Sequence, residues 1–66
     1  MLHSEFNGER LKEARLFNQR TISEIADLLG VTKQMISKYE NGKSNPSLDS
    51  IFKLVQELKF PREFYY

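Results

Sequence analysis

The sequence predicts an all-α fold, a bundle of short helices, on three observations. Apolar residues recur three and four positions apart, not two, from Leu11 onward. Breakers are few: glycine stands only at 8, 30 and 42, and both prolines, Pro46 and Pro61, fall late. Each apolar stretch follows a residue able to cap free backbone N–H groups: Asn7, Thr21, Thr32 and Ser47. Nothing alternates with the period of a strand. A chain of 66 residues, 39% apolar, has material for one core. One domain is expected over 1–66, with its core in 7–59 and an aromatic tail over 60–66. A domain this small buries only about 60% of its unfolded surface and depends on good packing or a partner.

The first helix should start at Asn7, with Phe6 and Leu11 placed for a hydrophobic staple. Leu11, Ala14 and Phe17 are its expected inward stripe, with Arg10, Glu13 and Arg15 outward or sideways. Asn18-Gln19-Arg20 reads as its exit. Thr21-Ile22-Ser23-Glu24 fits a capping box for the second helix. Ile25, Ala26, Leu28 and Leu29 give that helix an apolar face, and Gly30 stands where a left-handed residue ends a helix. Thr32 caps the third helix, Met35, Ile36 and Tyr39 face inward, and Asn41-Gly42 stops it. After the loop Lys43-Ser44-Asn45-Pro46, Ser47 caps the fourth. Its expected stripe is Leu48, Ile51, Phe52, Val55 and Leu58, closed by Pro61.

Composition excludes several classes of function. Cysteine is absent, which removes disulfides, thiolate zinc sites and cysteine nucleophiles. The single histidine, His3, cannot build a metal cluster. No HExxH, GxSxG or glycine-rich phosphate loop occurs. Ser23, Ser37, Ser44, Ser47 and Ser50 have no base in the pattern and read better as caps and polar faces. Neither an enzyme nor a cofactor is expected. No apolar run approaches 18 residues and no signal segment follows Met1, so a cytoplasmic protein without a membrane partner is expected. Ten basic against nine acidic residues leave a net charge of +1, so the total charge does not point to nucleic acid. Distribution says more: residues 32–45 hold Lys33, Lys38 and Lys43 against one acid, Glu40.

Two helices joined through Gly30-Val31-Thr32 meet the demands of a helix-turn-helix. Ala26 is small enough for close approach, Gly30 accommodates the turn, and Ile25, Leu29, Val31 and Ile36 hold the pair together. With Met35, Ile36 and Tyr39 turned inward, Thr32, Lys33, Gln34, Ser37, Lys38 and Asn41 remain outside. That set contains no acid. Gln grips adenine bidentately, Lys reaches guanine or phosphate, and Ser and Thr take either role. Double-stranded DNA is the expected partner.

Residues 11–58 resemble the lambda-repressor-like helix-turn-helix domain of the Cro/repressor (XRE) family. The carrying stretches are Arg10-Leu11-Lys12-Glu13-Ala14-Arg15 and Ile25-Ala26-Asp27-Leu28-Leu29-Gly30-Val31-Thr32. Ile36-Ser37-Lys38-Tyr39-Glu40-Asn41-Gly42-Lys43 and Asn45-Pro46-Ser47-Leu48 complete them. The resemblance implies four to five helices, with the third in the major groove. It implies base-facing positions for Gln34, Ser37 and Lys38, and base or phosphate positions for Thr32, Lys33 and Asn41. Lys43, Ser44 and Asn45 match the loop that grips the backbone, and Arg15 and Glu40 match a structural salt bridge. The family often has Gln at the start of helix two. Here Ile22 stands there, and Thr21 and Ser23 are expected to take over the phosphate contact. A transcriptional regulator follows, a repressor acting as a homodimer on a two-fold operator.

The end of the chain, Phe60-Pro61-Arg62-Glu63-Phe64-Tyr65, looks like the junction found where such a domain precedes an ImmA/IrrE-type metallopeptidase. The opening Phe6-Asn7-Gly8-Glu9-Arg10-Leu11 fits those proteins too. An N-terminal domain of a longer regulator, or a protein-interaction or antitoxin module, is therefore the alternative. The tail aromatics are expected either to fold back on Phe52 and Val55 or to meet a two-fold partner.

Overall fold

The capping residues do what their types allow. In a computed structural model describing residues 5–66, the helices are α1 (Gly8–Phe17), α2 (Ile22–Leu29), α3 (Lys33–Glu40) and α4 (Leu48–Leu58). A 3₁₀ turn over Arg62–Tyr65 follows. No strand occurs among the described residues; His3 lies outside them. Asn7 accepts from the N–H groups of Glu9 and Arg10 at 3.0 and 3.4 Å. Thr21 and Glu24 close a reciprocal capping box, with bonds of 2.8 and 3.0 Å. Thr32 accepts from the Met35 N–H and Ser47 from the Ser50 N–H, each at 3.1 Å. Gly30 ends α2 at φ 71°, a left-handed conformation that carries no steric penalty in glycine.

The fully buried side chains are Leu11, Ala14, Ile25, Ile36, Leu54 and Tyr65, with Leu58 and Ile51 nearly so. Two expected stripes are corrected. On α1 the inward line is Gly8, Leu11, Ala14 and Arg15, and it continues to Asn18, whose amide donates to the carbonyls of Ala14 and Leu58. Phe17 falls off that line and is 76% exposed, with its edge on Phe60 at 5.5 Å. On α4 the buried line is Ile51, Leu54 and Leu58, while Leu48 and Phe52 are 73% and 60% exposed. Two apolar stripes lie side by side on this helix. Periodicity alone does not say which one the rest of the bundle covers. Here α2 and the 3₁₀ turn pack against α4, and they cover the Leu54 side.

The tail folds back locally, but not onto Phe52. Tyr65 is fully buried, accepts at its carbonyl from the Asn7 N–H at 2.6 Å and stacks on Phe6 at 6.0 Å. Phe60 stacks on Phe64 at 4.3 Å, and the Arg10 guanidinium sits 4.7 Å from the centre of the Phe64 ring. The core thus extends past Lys59 and ties both ends of the described chain to α1. Burial without a hydrogen-bond partner pushes the Tyr65 hydroxyl up to about 12.

Candidate nucleic-acid interface

Packing determines which side of α3 is left free. Ile36 and Tyr39 are buried against the other helices, and Met35 and Val31 pack partly against the same core. Ala26, 3% exposed, belongs to the core cluster that α2 and α3 share. Opposite these residues, Thr32, Lys33, Gln34, Lys38 and Asn41 are exposed, and Ser37 is half-buried. The outer face expected from the inward turn of Met35, Ile36 and Tyr39 is thus present, without an acid among these residues. Two of its hydroxyls already have work: Thr32 accepts as a cap, and Ser37 Oγ accepts from Asn41 Nδ2 at 3.3 Å.

The far end of α3 is fixed to α1 in two ways. Arg15 Nε donates to Glu40 Oε2 at 2.7 Å and Arg15 Nη2 to Glu40 Oε1 at 3.2 Å, while Nη1 reaches the Arg20 carbonyl at 3.1 Å. Both side chains are under a tenth exposed. A two-point bond of this kind constrains orientation as well as distance. Arg15 is thus buried, where helical spacing left it outward or sideways, and it forms the pair with Glu40 that the resemblance implied. The second contact is Gly8. A Cβ there would lie 2.0 Å from the Tyr39 carbonyl oxygen and 2.8 Å from that of Glu40. The first turn of α1 therefore rests directly on the last turn of α3, and only glycine permits it. Sequence reasoning missed this residue's role. The available signal was a glycine directly after a capping Asn, in a chain with only three glycines.

The other expected contact positions lie before and after α3 in the chain. Thr21 and Ser23, at the start of α2, are exposed; the Thr21 oxygen accepts from Glu24, so its own O–H is left to donate outward. Ile22 is half-buried against the core and supplies no polar group. After α3, Gly42 at φ 75° turns the chain, and the Lys43 N–H closes the helix on the Lys38 carbonyl at 2.8 Å. Lys43 and Asn45 are exposed and Ser44 is half-buried. Among the described residues no three His, Cys, Asp or Glu side chains gather as a metal site. No described helix is long and apolar enough to cross a membrane.

A helix-turn-helix family model matches residues 11–64. The chain is 40% identical over 57 residues to the SPbeta prophage-derived uncharacterized HTH-type transcriptional regulator YonR of Bacillus subtilis (strain 168), covering 86% of this chain and 53% of that protein. It is 39% identical over 57 residues to the uncharacterized HTH-type transcriptional regulator RghRB of the same organism, covering 85% and 41%. The chain thus spans about half the length, or less, of these curated relatives. Among solved structures, the restriction-modification controller protein C.AhdI from Aeromonas hydrophila superposes with a TM-score of 0.76 at 29% identity, covering 89% of each chain. The master regulator for biofilm formation SinR, in complex with DNA, superposes with a TM-score of 0.72 at 31% identity, covering 86% of this chain and 95% of that one.

Proposed function

The chain belongs to the helix-turn-helix family, and from that premise we propose that it is a sequence-specific DNA-binding regulator of transcription, a cytoplasmic repressor acting as a homodimer on a two-fold operator. The carrying observation is the acid-free outer face of α3, held rigidly by the Arg15–Glu40 pair. Gln34, Ser37 and Lys38 read base edges in the major groove, flanked by Thr32 and Lys33. Thr21, Ser23, Lys43, Ser44 and Asn45 hold phosphates on either side, which fixes register without adding sequence information. It is a binding module, with no catalytic step.

The exposed stripe of α4 supports the dimer. Leu48, Phe52 and Val55 border an apolar hollow of about 270 Å³ rimmed by Arg62, and contiguous apolar surface of this kind marks a contact. Asp49 and Lys53, 3.6 Å apart, lie on the same helix. They lie to one side of the apolar stripe, where charges of both signs can meet those of a second copy across a two-fold axis. The tail aromatics, used locally, leave this stripe as the surface for the partner.

Titration of operator and random duplex at several salt concentrations tests the reading. Affinity should fall steeply with salt for both, with the operator tighter at each concentration, and a footprint should show a two-fold motif. A chain that binds duplex weakly and without salt dependence is an interaction module instead.

A further inference from the structure

Asn41 ends α3, yet its side chain takes no part in closing the helix. The backbone does that: the N–H groups of Asn41, Gly42 and Lys43 reach the carbonyls of Ser37, Tyr39 and Lys38 at 3.0, 3.3 and 2.8 Å. The Asn41 amide instead turns back one helical turn and donates to Ser37 Oγ at 3.3 Å. At about 100° per residue, Gln34, Ser37 and Asn41 share a sector of about 60° opposite Ile36 and Tyr39. They form the centre line of the exposed face.

This bond has a chemical consequence. It occupies a lone pair of the Ser37 hydroxyl and leaves the O–H to be donated outward; among the described residues no side-chain or backbone acceptor takes it. Asn41 retains its Oδ1 as an acceptor. The joined side chains thus present a donor beside an acceptor. In the major groove adenine offers the complement, the N7 acceptor beside the N6 donor, whereas guanine offers two acceptors. Given the DNA-binding reading above, on which this rests, we infer that Ser37 and Asn41 act as one unit that reads a single adenine. Asn41 is then a specificity-determining residue and not a phosphate contact. Its bond also holds the short, half-buried Ser37 hydroxyl in one orientation before DNA arrives.

Selection from random duplexes, followed by titration on the parent's selected site, tests the pair with the parent, Ser37→Ala, Asn41→Ala and the double variant. Asn41 is exposed and Ser37 half-buried outside the core, so thermal midpoints should stay close to the parent's. Each single variant should lose preference for adenine at the same base pair, by about 5- to 100-fold. The double variant should lose no more than the worse single, since either change removes the unit. Replacing that adenine by 7-deazaadenine, which lacks the N7 acceptor, should weaken the parent by a similar factor and leave Ser37→Ala unaffected. Random-sequence duplex should bind all four alike. Equal weakening of Asn41→Ala on selected and random duplex, with base preference intact, would overturn the unit; so would relaxation of different base pairs by the two single variants. A parent that binds no duplex in a salt-dependent way overturns the DNA-binding reading itself, and the unit with it.

Discussion

The outer faces of α3 and α4 are both open to water, but at different cost. On α3 the exposed residues are Thr32, Lys33, Gln34, Lys38 and Asn41, which water solvates well. On α4 they include Leu48 and Phe52, more than half exposed, which water does not. A polar face gains from a partner only through geometry, because every bond it makes replaces one to water. An apolar face gains from almost any cover of the right shape. The orientation of α3 is fixed by the Arg15–Glu40 pair and by the close approach of Gly8, which is what the base reading proposed above would require. α4 is held through its last turn, by the Asn18 amide on the Leu58 carbonyl and the Arg20–Glu57 ion pair, away from Leu48 at its start.

The largest expected effect comes from breaking the brace. Glu40→Ala leaves the Arg15 guanidinium buried with only the Arg20 carbonyl for company. Removing one partner of a buried pair costs about 3–5 kcal/mol, comparable to the whole stability of a small domain. Urea melts should show a chain largely unfolded or close to it. A midpoint within error of the parent's would mean that the pair is solvated and that α3 is held by packing alone.

Phe52→Ser attacks the other face. The side chain is mostly exposed, so the stability of the isolated chain should change by less than about 0.5 kcal/mol. Operator binding should lose its cooperativity and weaken about tenfold, with sedimentation showing less dimer at the same concentration. If assembly and affinity are untouched, α4 is not the two-fold surface.

How much of this was legible in the sequence follows from the same contrast. Caps and helix ends were readable because their signals are local: Thr21 and Glu24 specify their box whatever lies beyond. The polar face of α3 was readable because a polar residue on a helix has one default place. The inner line of α4 was readable only in part: Ile51 and Leu58 were expected inward and are buried, whereas Leu54 was missed. Leu48, Phe52 and Val55 satisfy helical spacing as well as Ile51, Leu54 and Leu58 do, and only tertiary cover distinguishes them. Gly8 was opaque for a related reason, since its constraint comes from carbonyls 31 and 32 positions further along the chain. Helical spacing left Arg15 outward or sideways, and its pairing with Glu40 could be named only by resemblance.

A smaller effect sharpens the reading of the α3 side. Lys43→Ala removes an exposed cation just past α3 without touching the core. Specific and random duplex should weaken alike, and the magnitude of the salt slope should drop by roughly one per protomer. A shift in base preference at constant slope would place Lys43 at a base instead.

The smallest effect concerns Tyr65, which helps to cover the inner line of α4 and so leaves the outer one bare. Its hydroxyl is buried without a partner, and a polar group in that state destabilises the fold. Tyr65→Phe keeps the ring that packs on Phe6 and removes the orphan. At pH 7 the variant should equal the parent or exceed it by up to about 1 kcal/mol. The difference should then grow with pH, because the folded parent holds its proton up to about 12, while the unfolded chain releases it near 10. Between those values the folded state binds more protons than the unfolded one, so the parent loses stability as pH rises. The variant has no such group and escapes that part of the loss. Denaturation curves of both proteins at pH 7, 9.5 and 11 would show the gap widening. A variant clearly less stable at pH 7, with a gap independent of pH, would mean that the hydroxyl has a partner in solution and that the tail is held by more than packing.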